Sequence, residues 1–276
     1  MKALVDGRAA DSLPLDDRGL HYGDGVFETV AVCAGRPLLW ERHLERLRRG
    51  CARLGLLAPD AQGLSDELAA LCRDAGPRAV VKLIVTRGGG GRGYAPPDDA
   101  RTRRILLSLP WPDHDPLSAV RGVMVRRCRT TIGRNPLLAG IKHLNRLEQV
   151  LARREWRDEF AEGLLSDADG CVIEGTMSNL FLVSRGTLIT PDLSQSGVAG
   201  VMRAEVLEAA RALGIAVAER GVPAAELAAA DEMFLTNSLI GLWPVRRLDD
   251  RDFPIGELTQ TLQKATAGAQ CFRQYD

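Results

Sequence analysis

Apolar residues recur along the chain with two different periods. Leu44, Leu47, Cys51 and Leu54 stand three or four positions apart and predict a helix beginning near Trp40. Leu64, Leu68 and Leu71 repeat that spacing on a second, shorter helix. The β-branched and leucine-rich runs 79–86 and 105–109 predict strands on either side of a glycine-rich segment. The proline-rich stretch 110–116 suits neither helix nor central strand, because proline fixes φ and lacks an N–H. Beyond it a strand is expected at 122–125, then a long helix over about 143–160 with Leu144, Leu147, Val150 and Leu151 turned inward. Short strands are expected at 171–174, 180–183 and 187–190, and a helix over 201–213 with Gly214 as its left-handed terminator. Strands at 215–218 and 232–236 and a helix at 255–267 complete the pattern. It reads as α+β, with a smaller domain over 1–112, a linker at 113–122 and a larger domain over 123–276.

Composition narrows the function. Hydrophobic residues make up 45% and charged residues 26%, as in ordinary globular chains. Lys plus Arg and Asp plus Glu are 36 each, so the net charge is zero, and a nucleic-acid partner is not expected because it needs surplus cation facing phosphate. No apolar run approaches the ~18 residues of a membrane span, and Asp6 interrupts the N-terminus before any leader-like stretch, which reads as cytoplasmic. The six cysteines are scattered without a C-x-x-C pair, so the spacing indicates neither a disulfide framework nor a zinc site. The cations are lopsided: 32 arginines against four lysines, at 2, 82, 142 and 264. Codon bias from a GC-rich genome is the ordinary reading of that excess; the other is that a retained lysine is a candidate for a position where guanidinium cannot substitute, since only an amine loses its proton near neutral pH and attacks a carbonyl.

Lys142 sits among Leu138, Ala139, Ile141 and Leu144, apolar surroundings that favour a neutral amine. Glu174 ends an apolar run and is followed by Gly-Thr-Met-Ser-Asn. Gly197 and Gly200 precede a helix, where free backbone donors suit a phosphate, and Thr236-Asn237-Ser238 offers further small donors. Taken singly, each has an ordinary reading: surface lysine, turn acid, helix cap, loop polarity. Arg46 reads equally as one solvated arginine among Arg42, Arg48 and Arg49. Together, an amine, a carboxylate and phosphate donors are what pyridoxal phosphate requires. None of the histidines (21, 43, 114, 143) forms a ligand-spaced pair or lies near a G-x-S-x-G elbow, so metal and Ser/His/Asp schemes fit less well.

The motifs Tyr22-Gly-Asp-Gly-Val-Phe-Glu28, His43-Leu-Glu-Arg-Leu47, Glu174-Gly-Thr-Met-Ser-Asn179, Gly200-Val-Met-Arg203 and Phe234-Leu-Thr-Asn-Ser238, with Lys142 between the second and third, span nearly the whole chain. In these the chain resembles the fold-type IV pyridoxal-phosphate enzymes, which include branched-chain and D-amino-acid aminotransferases. The runs 87–94 and 133–150 resemble the lyase branch of that family, which releases 4-aminobenzoate, a folate precursor, and pyruvate from 4-amino-4-deoxychorismate; an aminotransferase is the alternative. The resemblance implies a homodimer of two-domain subunits with the cofactor in the interdomain cleft. It implies that Lys142 bonds covalently to pyridoxal 5'-phosphate and that Glu174 contacts its ring nitrogen. Arg46, the backbone of Val201 and Met202, and Asn237 and Ser238 would hold the phosphate. Met202 stands where many relatives have threonine, leaving only a backbone donor there. Arg92 and Tyr94 match positions that bind a substrate carboxylate, and Phe27 replaces a tyrosine of some transaminases. Thr29 is the expected proton donor to the leaving group. No metal is implied.

Overall fold

In the computed structural model, which describes residues 2–73, 76–90 and 92–271, the chain divides into two units. One holds the residues up to Pro112 together with Ile141–Asn145; the other holds Asp113–Gly140 and Arg146 onward. Among the described residues no helix is long and apolar enough to cross a membrane.

The first unit is built on a six-stranded sheet. Its strands are β1 (Lys2–Val5), β2 (Arg8–Ala9), β3 (Gly25–Cys33), β4 (Arg36–Pro37), β5 (Arg78–Thr86) and β6 (Arg103–Pro110), in spatial order β2-β1-β6-β5-β3-β4. Its helices are α1 (Arg18–Tyr22), α2 (Trp40–Leu54) and α3 (Ala61–Arg73). Strand alternation sorts the sheet's two faces. Val26, Val81, Leu83, Val85 and Leu106 pack with Leu44, Leu47 and Cys51 of α2 and Leu64, Leu68 and Leu71 of α3 into one core. Each such leucine contributes about 1.5–3 kcal/mol on burial. The helical stripe expected from Trp40 onward is therefore present, but its buried side also carries two polar residues, His43 and Arg46. The opposite face of the sheet carries Phe27, Thr29, Lys82 and Ile84, since Phe27 pairs with Ile84 and Thr29 with Lys82 across β3 and β5.

The second unit contains a nine-stranded sheet. Its elements are α4 (Ser118–Arg121), β7 (Val123–Thr131), α5 (Leu147–Arg153), β8 (Glu162–Ser166), β9 (Val172–Gly175), β10 (Asn179–Ser184), β11 (Thr187–Pro191), α6 (Val201–Ala212), β12 (Val217–Arg220), β13 (Glu232–Asn237), β14 (Gly241–Leu248), β15 (Arg251–Asp252) and α7 (Glu257–Ala265). The order is β12-β11-β10-β13-β14-β7-β8-β9, with β15 paired to β14. Phe181 and Phe234, opposite each other on β10 and β13, stack with ring centroids 4.9 Å apart. Gly214 takes φ +72°, the left-handed conformation expected after α6.

Three expectations change. The helix expected over 143–160 is only α5, because residues 141–145 are not helical and bond to β3 instead: Phe27 N–H donates to the Lys142 carbonyl (2.8 Å) and Leu144 N–H to the Gly25 carbonyl (3.0 Å). Nor does that helix bury its apolar stripe; Leu147, Val150 and Leu151 are 70%, 54% and 46% exposed, while Gln149 and Ala152 face inward. The segment 113–122 contains α4 and belongs to the second unit. Strand β14 was not foreseen, because Trp243-Pro244 reads as a breaker. It is accommodated because the β7 ladder starts one residue later, at Val245.

Candidate active site

In the first unit, the irregular segment around Lys142 bridges to the β3 edge through His143 and Val26, at the end of the strand that β4 leaves uncovered. Gly25 makes this approach possible, since a Cβ there would lie 2.4 Å from the Val85 carbonyl and 2.8 Å from Leu144. Lys142 Nζ stands 4.5 Å from the centroid of the Phe27 ring, and Lys82 Nζ stands 5.2 Å from the same centroid. Both lysine side chains therefore reach the one Phe27 ring, and a cation against an aromatic face is favoured by the ring quadrupole. Lys82 thus shares a ring with Lys142 and a sheet face with Thr29.

Behind β3, on the core face, lies a buried polar cluster. Glu28, 1% exposed, accepts from His43 Nδ1 (2.6 Å) and from Arg46 Nε (2.9 Å) and Nη2 (2.5 Å). Burial alone would raise the Glu28 carboxyl, but the Arg46 guanidinium, and then His43, outweigh it and hold it down to about 2. Burial pushes His43 down, although Glu28 opposes this. The contact is therefore a neutral Nδ1–H donating to a carboxylate, and Nε2 has no hydrogen-bond partner. Arg46 is thus no solvated arginine: its fork is oriented by Glu28, the arrangement that fixes a guanidinium in one direction.

Arg92 and Tyr94 lie on an exposed glycine-rich segment, whose Gly91 falls outside the described residues. Beside it is a cavity of about 310 Å³ lined by Arg18, Tyr22, Asp24, Arg87, Tyr94 and His143 among others. His143 and Asn145 line this cavity, while Lys142 is directed to Phe27.

In the second unit, Glu174 on β9 is 4% exposed, and its Oε2 accepts from Val198 N–H at 2.8 Å. Gly197, at φ +82°, leaves room for that contact; a Cβ there would lie 2.8 Å from Leu193, 2.9 Å from Ile173 and 3.3 Å from Glu174 Oε2. Asn179 Nδ2 donates to the Val198 carbonyl (2.8 Å), and a Cβ on Gly200 would meet Asn179 Oδ1 at 2.0 Å. Gly200 precedes α6 with no side-chain cap, so the first-turn N–H groups of Val201 and Met202 have no intrahelical acceptor. The Met202 side chain is fully buried, leaving its backbone as the donor. Asn237 uses its side chain locally: Nδ2 donates to Met177 O (3.0 Å), and Oδ1 accepts from Leu239 N–H (2.8 Å) and Ile240 N–H (3.0 Å). It shapes the turn that carries Ser238.

Glu162, 1% exposed, was not singled out in the sequence. Its Oε1 accepts from the Gly163 and Thr176 N–H groups and the Thr176 hydroxyl, and its Oε2 from Met177 N–H and the Ser178 hydroxyl. It shapes the turn that follows Glu174. Only a carboxylate inside a predominantly apolar strand hinted at this. For Glu28 the signal was similar, an acid at an inward position of an alternating run.

The donor set suits pyridoxal phosphate. The α6 first turn can take a dianion, and the buried Thr236 and Ser196 hydroxyls lack hydrogen-bond partners. In the second unit Glu174 is a buried carboxylate of the kind that can face a protonated ring nitrogen, and in the first unit the Lys142 side chain ends in a primary amine. Among the described residues no cluster of His, Cys, Asp and Glu could hold a metal.

The model of the amino-transferase class IV family matches residues 25–248, a span containing Phe27, Arg46, Lys142, Glu174 and Asn237. The chain belongs to the class IV aminotransferase family. Within it, the chain is 39% identical over 265 residues to an aminodeoxychorismate lyase of Vibrio harveyi, covering 94% of this chain and 97% of that one. A crystal structure of 4-amino-4-deoxychorismate lyase from Pseudomonas aeruginosa is 55% identical and superposes with a TM-score of 0.92, covering 96% of this chain and 97% of that chain. The branched-chain amino acid aminotransferase of Escherichia coli is 26% identical with a TM-score of 0.83, covering 97% and 93%. The class IV family thus includes both chemistries on this architecture, which is that of the fold-type IV enzymes. The greater likeness is to the lyase.

Proposed function

We propose that this class IV enzyme is a pyridoxal-phosphate-dependent lyase that converts 4-amino-4-deoxychorismate to 4-aminobenzoate and pyruvate in the cytoplasm, as a step of folate biosynthesis. The observation that carries the reading is the 55% identity to a solved lyase over nearly the full length, joined to a lysine held against Phe27. In this reading Lys142 carries the cofactor; Arg46, the backbone of Val201 and Met202, Asn237 and Ser238 hold its phosphate; and Glu174 holds a proton at its ring nitrogen. The bound cofactor supplies an electron sink for the carbanion formed beside the substrate amine. The Lys142 amine would remove the proton from the amine-bearing carbon of the substrate. The adjacent C–O bond then breaks, its electron pair leaving on the enolpyruvyl oxygen, and the ring becomes aromatic. Thr29 passes a proton to that oxygen. Arg92 and Tyr94 hold substrate carboxylates, for which guanidinium offers a bidentate fork, and Phe27 packs against the substrate.

Leu147, Val150 and Leu151 form an exposed apolar face on α5. Three large aliphatic residues in one exposed cluster mark an association surface, and a homodimer is the assembly proposed. Borohydride reduction of the yellow protein followed by peptide mapping tests the cofactor assignment: the adduct belongs on Lys142, and Lys142→Arg loses it along with at least a thousandfold in rate. Formation of 4-aminobenzoate and pyruvate in equal amounts supports the lyase. Transfer of the amino group to 2-oxo acids without 4-aminobenzoate overturns it in favour of an aminotransferase.

A further inference from the structure

We propose that Arg18 is a positioning residue that clamps the glycine-rich segment carrying Arg92 and Tyr94, and so sets the affinity for the substrate's carboxylates. This rests on the reading above that Arg92 receives a carboxylate. Arg18 is 3% exposed, and a buried guanidinium is tolerable only when its charge is matched and its donors used. Its charge is matched by Asp24, which accepts from Arg18 Nε at 3.0 Å. The two terminal nitrogens turn to main chain, Nη1 donating to the Gly93 carbonyl (2.9 Å) and Nη2 to the Tyr94 carbonyl (3.0 Å). These bonds hold two consecutive peptide groups, 93–94 and 94–95, immediately beyond Arg92.

Other contacts fix the same segment. Arg18 N–H donates to the Gly88 carbonyl at 2.9 Å, so one residue engages both ends of the glycine run. A Cβ on Gly90 would lie 2.9 Å from Arg18 Cδ, which is close backbone approach rather than incidental flexibility. The Arg18 guanidinium lies 4.8 Å above the Tyr22 ring; the Tyr22 hydroxyl accepts from Gly93 N–H (3.3 Å), and the Tyr22 and Tyr94 rings meet edge to face at 5.5 Å. Asp24 is in turn held by Arg87 through Nε (2.8 Å) and Nη2 (3.1 Å).

By contrast, Arg92 is exposed and Tyr94 is 86% exposed, so packing of their own side chains does little to order them. Glycine-rich backbone loses the most freedom on ordering. A clamp that orders it beforehand removes that cost from substrate binding. Such an effect acts on ground state and transition state alike and so appears in KM.

The test uses the full-length, cofactor-loaded enzyme and the variants Arg18→Met, Arg92→Ala and their combination. An arginine-specific protease at native conditions reports the clamp through the fragment beginning at Gly93. Arg18→Met is expected to speed that cleavage at least tenfold and to raise KM for 4-amino-4-deoxychorismate about tenfold, with kcat within about twofold. In the Arg92→Ala background Arg18→Met is expected to raise KM by less than it does in the parent, because part of its effect passes through Arg92 and the rest through Tyr94. Unaltered cleavage after Arg92 overturns the clamp whatever the enzyme's reaction. Faster cleavage with KM unchanged in both Arg18→Met and Arg92→Ala instead overturns the role of Arg92 and the proposed control of affinity. An equal fall in kcat in the single and double variants marks Arg18 as merely structural and overturns the proposal. Tyr22→Phe, which removes only the acceptor of Gly93 N–H, reads the same cleavage where Arg18→Met fails to fold, with a two- to threefold increase expected and no change overturning the clamp.

Discussion

Replacing Glu28 with glutamine tests how the arginine behind β3 is held. The carboxyl titrates at about 2 in the folded protein against an ordinary value of 4.5, and it is fully buried. A difference of that size amounts to about 3 kcal/mol of stability at neutral pH. The sign follows from the depressed value. The contribution is complete above about pH 4.5 and is lost as the pH falls toward 2, because the unfolded chain takes up the proton first. His43, also depressed, adds an earlier loss that begins below its ordinary value of 6.5. Glu28→Gln removes the carboxylate that accepts from Arg46 Nε and Nη2, and breaking one side of such a buried pair costs about 3–5 kcal/mol. Urea unfolding followed by circular dichroism at pH 7.5 and at steps down to pH 3 measures both effects. The parent-minus-variant difference is expected to be largest near neutrality and to shrink below pH 4.5, which removes the contribution of other acidic groups common to both proteins. A difference under about 0.5 kcal/mol at pH 7.5, or one that does not shrink in acid, refutes the account.

Two further outcomes follow from packing. Leu147→Asp combined with Leu151→Asp places two charges on the exposed face of α5 and is expected to shift sedimentation from dimer to monomer while the monomer's circular dichroism is retained; an unchanged dimer sends the search to another surface. Gly200→Ala puts a Cβ 2.0 Å from Asn179 Oδ1 and dislodges that side chain from the Val198 carbonyl, so pyridoxal phosphate affinity, read by fluorescence titration of the apoenzyme, is expected to fall at least tenfold; affinity within twofold of the parent shows that the cradle tolerates the methyl group.

Much of the fold was legible because periodicity is local. Helices α2, α3, α6 and α7 and strands β5, β6 and β10 to β13 follow from apolar spacing, which records the face a segment turns away from water. The same rule misled at α5. Leu147, Val150 and Leu151 do form an apolar stripe, but spacing does not say what covers it, and among the described residues they remain 70%, 54% and 46% exposed. It misled again at residues 141–145, whose conformation is decided by pairing with β3, more than a hundred residues earlier in sequence.

The chemistry divides in the same way. Residue types and their order were enough to single out Lys142 against a background of arginine and to associate it with Glu174 and the Gly200-Val-Met-Arg203 turn, because covalent chemistry depends on which atoms a side chain possesses. Tertiary structure alone decided that two lysines reach the Phe27 ring, that Arg46 is gripped by Glu28, and that Arg18 holds the backbone next to Arg92. Each of those depends on direction and distance across strands and loops remote in sequence. A one-dimensional pattern carries the identity of the groups, and only the folded chain carries their separations, on which hydrogen bonding, burial and charge coupling all depend.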